Sequence, residues 1–361
     1  MAQEYRIISA DSHVNPRPTF WRDYLPGKLA ERAPQVEETD EQDFILFEGN
    51  RTPYIMLSSL AGKKAEDFKF TGKMSDARPG GWDPHERTKD QDIDGIDAEV
   101  LYGGGPLRTE NRELAVASHR AYNEWLADFC KGAPERLLGI AYVPMWDLEE
   151  ALDEVRHAAK IGLRGVLIPA APPEGEFADP KYEVFWNTLE ELNMPANLHV
   201  GFSGGRTPRF DNSTHFLSDM LMSKLGMAEP VANMIFSGIL ARHPKLKVVE
   251  VEGGVGWCAF AIQYMDHVWE KHRYWTKSDL TEPPSFYFHR QIRGTFVDDP
   301  VAVNERHTIG VESIMWSSDY PHSETPWPNS RQSIAKHFAG VPEDETFKMI
   351  CGNAQRLYNI Y

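Results

Sequence analysis

The chain has 361 residues, 41% hydrophobic and 25% charged, with a formal net charge of −16. That length carries one large domain with a full core, or two smaller ones. The acidic balance argues against a nucleic-acid partner, which needs clustered Lys and Arg, and leaves room for a small anionic molecule where a metal or a few arginines reverse the local field.

Tyr5-Arg6-Ile7-Ile8-Ser9-Ala10 reads as the first strand, and it ends in Asp11-Ser12-His13. Residues i and i+2 of a strand share a face, so a carboxylate and an imidazole project side by side. Residues 26–87 are rich in charge, Pro and Gly and break the rhythm that follows. Strand-like pieces at 44–47 and 53–57 mark them as an insertion, a small β-hairpin subdomain or lid. Short apolar runs then recur at 98–102, 138–143, 165–168, 196–200, 248–251, 293–297 and 313–316. Segments of helical period at 113–131, 148–161, 182–193 and 256–271 separate most of them. Strands alternating with helices predict a parallel sheet. Eight such units over this length fit a closed (β/α)8 barrel forming one domain over residues 1–361. No Gly-x-Gly-x-x-Gly turn follows the first strand, which argues against an open doubly wound sheet. Residues 343–361 read as a closing helix with a short tail.

Three strand ends carry metal-ligand residues: Asp11 and His13 on the first, His199 on the fifth and Asp319 on the eighth. Each alone has a plainer reading, as a cap or a core hydrogen-bonder. Together they put two imidazoles and two carboxylates on one barrel face. That set suits one catalytic divalent ion, zinc or alternatively manganese or iron, with a position left open. Glu252, followed by Gly253 and Gly254, could ligate that ion, orient a water or take a proton. It could equally cap the next helix or pair with Arg293. His322 could bond a substrate or cap its own loop.

Arg87, Arg206 and Arg209 are the candidates for gripping a substrate carboxylate through the guanidinium fork, with a surface position as the plain alternative. Arg206 and Arg209 lie on a second candidate active-site loop, residues 201–212. Trp82 and Tyr102 could wall the pocket or simply pack in the core. His119 and Asn123 lie four apart on one helix face, where packing is the simpler role. Aromatic residues around Trp269, Tyr274 and Trp275 could face another subunit of a homo-oligomer or be buried within one chain. The three cysteines, Cys130, Cys258 and Cys351, are far apart and include no Cys-x-x-Cys pair. Neither a disulfide framework nor a thiolate zinc site is expected. No apolar run approaches the roughly 20 residues that span a bilayer. No basic-then-apolar leader precedes the first strand, and a cytoplasmic location is the expectation.

Several segments have a familiar form: Ser9-Ala10-Asp11-Ser12-His13, Gly81-Trp82-Asp83-Pro84, Asp92-Ile93-Asp94-Gly95-Ile96-Asp97-Ala98-Glu99-Val100-Leu101-Tyr102 and Leu198-His199-Val200-Gly201. To these are added Glu252-Gly253-Gly254-Val255-Gly256-Trp257, Ser318-Asp319-Tyr320-Pro321-His322 and Gly352-Asn353-Ala354. Spread over nearly the whole chain, they resemble the amidohydrolase superfamily. The nearest group is the amidohydrolase-related one that contains aminocarboxymuconate semialdehyde decarboxylase and γ-resorcylate decarboxylase. The resemblance implies a distorted (β/α)8 barrel, one metal held by Asp11, His13, His199 and Asp319, a proton-shuttling role for Asp319, and a dimer. Three departures qualify it. Asp11 stands where many relatives have the first His of His-x-His. No Lys lies in residues 165–170, which removes the carbamylated bridge of binuclear relatives. Glu252 stands where the semialdehyde decarboxylase has a catalytic His. The implied activity is nonoxidative decarboxylation of a small aromatic or unsaturated carboxylate. Hydrolysis of an amide, ester, lactone or ring-cleavage product by an activated water is the alternative. A catalytically silent barrel is the third reading.

Overall fold

The computed structural model describes residues 6–203, 209 and 214–360. Its strands are β1 (Ile8–His13), β2 (Gln35–Glu38), β3 (Asp43–Phe47), β4 (Asn50–Pro53), β5 (Ala98–Tyr102), β6 (Leu137–Gly139) and β7 (Ala141–Tyr142). They continue with β8 (Val166–Leu167), β9 (Ala196–His199), β10 (Val248–Val251), β11 (Ile292–Phe296) and β12 (Ile314–Trp316). Two sheets are parallel throughout, one in the order β1-β5-β6 and one in the order β12-β11-β10-β9-β8-β7. The molecule is therefore a mixed α/β fold, and all eight expected apolar runs carry strand.

Backbone hydrogen bonds link the two parallel sheets at two places. Ile140 alone separates β6 from β7, and its N–H donates to Leu101 O at 3.0 Å. At the second place Asp319 N donates to Asp11 O at 3.0 Å and His13 N to Tyr320 O at 2.6 Å. Side-chain alternation divides the core accordingly. Ala98, Val100 and Tyr102 of β5 and Val249 and Val251 of β10 join an inner cluster with Ile8, Leu138, Leu167 and Met315. Leu101 and Val248 point the other way, into a larger layer between strands and helices.

Helix ends follow local chemistry. Asp83 caps the helix Pro84–Asp94 by accepting from His85 N and Glu86 N, Pro84 takes the first turn, and Gly95 ends it at φ 75°. Asn111 and Asp147 cap Arg112–Lys131 and Leu148–Lys160 in the same way. The expected closing helix is a continuous run from Glu343 to Leu357 with a π turn over Lys348–Gly352. No helix among the described residues is long and apolar enough to cross a membrane.

Two expectations need correction. The first strand lies later than its apolar run, so Asp11 and His13 sit inside β1. The ladder to β5 extends to the His13–Tyr102 pair after a register shift between Ser9 and Ser12, a bulge of the kind that re-aims side chains at sites. In residues 26–87 the second hairpin strand is Asn50–Pro53, not 53–57. Glu48 and Gly49 take φ 47° and 80°, turning the chain early, and Pro53 lacks the N–H to continue the ladder. Gln35–Glu38 adds a third, largely polar edge strand to this antiparallel sheet.

Candidate metal centre

At the C-terminal ends of β1, β9, β10 and β12 six ligand-type side chains converge. Asp11, His13, His199 and Glu252 offer atoms that all lie within 4.8 Å of one another, and so do His13, Glu252, Asp319 and His322. His13 Nε2 stands 3.3 Å from Asp11 Oδ1 and 3.1 Å from Asp319 Oδ1. His199 Nε2 stands 3.7 Å from Asp11 Oδ1 and 3.5 Å from Glu252 Oε2. Asp11 is fully buried and Asp319 nearly so.

The backbone aims these groups. His199 Nδ1 donates to the carbonyl of Val200 at 2.8 Å. A carbonyl can only accept, so the proton is fixed on Nδ1 and Nε2 faces the cluster, as in metal-bound histidines. His322 places Nδ1 2.9 Å from Asp319 Oδ1 and stacks its ring on His13 with centroids 3.7 Å apart. Gly103, at φ 92°, suits only glycine, because a Cβ there would stand 2.9 Å from Val14 O and 3.1 Å from His13 Nδ1. Asp319 and Glu252 themselves hold φ 51° and 67°. Non-glycine residues rarely adopt this left-handed region, and such strain concentrates at functional sites. Thr295 Oγ1 anchors the strained turn by accepting from Glu252 N at 2.8 Å.

Burial opposes charge on Asp11, His13, His199 and Asp319, and there the neighbours decide the outcome. Burial alone would raise Asp11, but His13 and His199 hold it down at about 2. Burial alone would lower His13, but Asp11 and Asp319 lift it to about 10. His199 is raised in the same way by Asp11. Asp319 is driven well below the carboxylate range against burial, by His322 and His13. Glu252 goes the opposite way, raised by burial and then by the charge of Asp319.

The donor set fits a divalent ion on a structural ground. Asp11 Oδ1 and Oδ2, His13 Nε2, His199 Nε2 and Asp319 Oδ1 are all buried without a well-aligned hydrogen bond, and their near contacts are ion pairs with other members of the cluster. Buried polar atoms are ordinarily satisfied, and five orphans around one point are what a cation would pair.

The centre lies at the base of a cleft of about 230 Å³. Ile55 and Leu57 from the segment 26–87, Val200, and Phe216 and Met220 of the helix Thr214–Leu225 make its walls, with Glu252, Asp319 and His322 below. Beneath it Tyr102 and Tyr358 both donate to Asn197 Oδ1, at 2.9 and 3.0 Å.

The other candidates fall elsewhere. Arg87 was expected to grip substrate, but it is fully buried; its Nε bonds Glu99 at 2.6 Å and its Nη1 bonds His13 O at 2.7 Å. It clamps β1 from behind. Tyr102 packs its ring 5.2 Å from that of His199 and spends its hydroxyl on Asn197, so it is floor rather than substrate contact. Trp82 is half-buried under the guanidinium of Arg17, 4.4 Å from the ring centre. Arg209 forks onto Asp219 at 2.6 and 3.2 Å. Arg206 lies outside the described residues. His119 and Asn123 pack as the plainer reading had it: His119 Nδ1 bonds Ala115 O, and Asn123 bonds both Tyr142 and Glu154. The pairing of Glu252 with Arg293 does not form, because Arg293 sits near the opposite end of the strands, level with Val249.

Sequence reading missed Lys224. Its Nζ donates to Glu252 O at 3.1 Å and pairs with Glu324 at 2.9 Å. Nothing local to Lys224 marks it; only the packing of its helix over the cleft does.

The sequence matches the amidohydrolase family over residues 10–360. The chain belongs to the amidohydrolase family. Among curated amidohydrolase relatives it is 25% identical to a γ-resorcylate decarboxylase of Rhizobium sp. (strain MTP-10005) over 292 residues, 76% of this chain and 86% of that one. Its fold is similar to that of an amidohydrolase from Mycobacterium avium subsp. paratuberculosis K-10, with a TM-score of 0.74 at 20% identity over 99% of this chain and all of the other. It is also similar to a dihydroxybenzoic acid decarboxylase from Polaromonas sp. JS666, solved with bound manganese and the inhibitor 2-nitroresorcinol. There the TM-score is 0.66 at 18% identity over 99% of this chain and 98% of the other.

Proposed function

We propose that this amidohydrolase is a metal-dependent carboxy-lyase that releases carbon dioxide from a small aromatic or unsaturated carboxylate. The observation that carries the reading is the set of orphaned ligand atoms at the base of a small, largely apolar cleft. The decarboxylases among its relatives support it. Asp11, His13, His199 and Asp319 are the proposed ligands, with Glu252 beside them. An ion held there, zinc or on this oxygen-rich donor set manganese or iron, would supply Lewis-acid stabilisation of negative charge on the substrate.

The chain's own groups do the rest. In the reaction the bond from ring or vinyl carbon to carboxylate breaks, a proton takes its place on carbon, and carbon dioxide leaves. Glu252, whose burial favours the protonated carboxyl, is the group taken to hold and deliver that proton, and Asp319, kept ionised by His322 and His13, stands beside it as a base. His322 orients Asp319. The walls of Ile55, Leu57, Val200, Phe216 and Met220 exclude water and favour an uncharged product over a charged substrate. The reading takes the two parallel sheets as one closed eight-stranded barrel and residues 26–87 as its lid. The backbone bonds that join the sheets support the first, and Ile55 and Leu57 in the cleft wall support the second. It also takes the protein as a dimer; Tyr274 and Trp275 are exposed and available for a contact.

Hydrolysis is the second reading, favoured by a carboxylate at the Glu252 position where a water could give up its proton. The test is metal content of the purified protein and of His199→Ala, followed by a substrate screen. About one ion per chain, lost in the variant, is expected. Carbon dioxide release from hydroxybenzoates or unsaturated dicarboxylates supports the lyase, and opening of esters or lactones without it supports the hydrolase. No metal in either protein after reconstitution overturns both and leaves the silent barrel.

A further inference from the structure

A second polar cavity, of about 190 Å³, opens at the opposite ends of the strands. Pro195, Lys247 and Arg293 line it where β9, β10 and β11 begin, whereas His199 and Glu252 lie where β9 and β10 end. Lys245 and Arg356 complete a ring of four cations. In a chain of net charge −16 this is an unexpected accumulation.

The cations are short of counter-charge, with the Glu312 carboxylate acting on Arg293 and Arg356 only from a distance. Among the described residues none of the four makes a salt bridge. Lys247 Nζ rests on Arg290 O at 2.7 Å, and Arg293 Nη1 rests on Ile292 O at 2.7 Å. Both contacts are to backbone carbonyls, which leave the positive charge uncompensated. The two carboxylates in the wall are engaged elsewhere. Glu190 Oε1 accepts from Lys245 N and Leu246 N at 2.7 and 3.0 Å, and Glu312 pairs with Lys348 at 3.0 Å. Burial and the nearby Arg293 and Arg290 push Lys247 down to about 8, and burial pushes Arg293 down to about 10. Crowded cations of this kind gain most from an anion.

Four cations facing two carboxylates leave a surplus of two positive charges, and the volume is below the roughly 300 Å³ at which drug-sized pockets begin. We propose that this cavity binds a compact dianion, inorganic phosphate or a short dicarboxylate, independently of the metal centre. The guanidiniums of Arg293 and Arg356 supply planar forks for its oxygens, and the lysines supply point charges.

The test is calorimetric titration of metal-stripped His199→Ala protein with inorganic phosphate and, separately, with succinate, at constant ionic strength held with chloride. The background variant weakens any contribution from the metal centre. One-to-one binding of either anion is expected, and the two arms identify which. Arg356→Ala, at an exposed position, and Lys247→Met should each weaken binding roughly tenfold while the fold, followed by melting, stays intact. Absence of binding at millimolar anion overturns the proposal. So does binding that both variants leave unchanged, or heat that chloride alone reproduces.

Discussion

Two buried charged clusters share β1 and β5, a few residues apart, and they are finished differently. The Glu99 carboxylate accepts from Arg87 Nε at 2.6 Å, Gln91 Nε2 at 2.8 Å and Ser12 Oγ at 3.0 Å. Neither oxygen of the equally deep Asp11 carboxylate makes a well-aligned hydrogen bond, and Asp11 faces only the imidazoles of His13 and His199, at 3.3 and 3.7 Å. The Glu99 charge is offset inside the chain by Arg87, although Arg87 Nη2 and Gln91 Oε1 lack partners, and the result is a clamp. Asp11 keeps its bonding capacity largely unfilled. The difference between a structural charge and a working one lies here in unfilled bonding capacity rather than in burial or residue type.

Breaking the clamp should have the largest effect on folding. Arg87→Met strands the Glu99 charge and should cost about 3–5 kcal/mol in denaturant unfolding. His199→Ala in the metal-stripped chain should cost clearly less, because Asp11 keeps His13 as its closer partner. Equal losses would erase the distinction.

The pH dependence sharpens it further. In the metal-stripped chain His13 titrates at about 10 instead of 6.5, burial notwithstanding, because Asp11 and Asp319 hold its proton. A raised folded-state value stabilises fully below about 6.5, and that gain is lost as pH rises through about 10. The metal-stripped protein should therefore show a falling melting temperature across that window, and the metal-loaded protein should not. The smallest effect belongs outside both clusters. Arg17→Ala removes the cation over Trp82 and should cost no more than about 1 kcal/mol. Metal content should stay unchanged, and a loss of metal would bring Trp82 back into the centre.

What the sequence discloses depends on how far apart the cooperating residues lie. The eight strands are legible because each is an apolar run bounded by turn residues. Asp11, His13, His199 and Asp319 are legible because parallel strands bring like ends together. Glu252 and His322 join them on the same logic. Arg87 misleads because its helix packs its side chain inward against Glu99, a contact set by how the segment before the helix closes on β1. Lys224 and the cation ring around Lys247 are silent for a related reason. Their significance comes from neighbours tens to more than a hundred positions away, and no periodicity carries that. The start of β1 is misjudged because Asp11, Ser12 and His13 are polar yet buried, a pattern that reads as loop until their partners on β5 and after β12 are known.

Tyr358 has one more consequence. It directly follows the last helix, and its hydroxyl meets Tyr102 and Asn197, with Ile360 and Ala354 buried alongside. The stretch after the last helix thus acts as a stopper beneath the centre. Among the described residues the centre opens into the cleft between the segment 26–87 and the helix Thr214–Leu225. Under the proposed reaction, a small gaseous product leaving by that cleft would have to pass its larger companion or wait behind it.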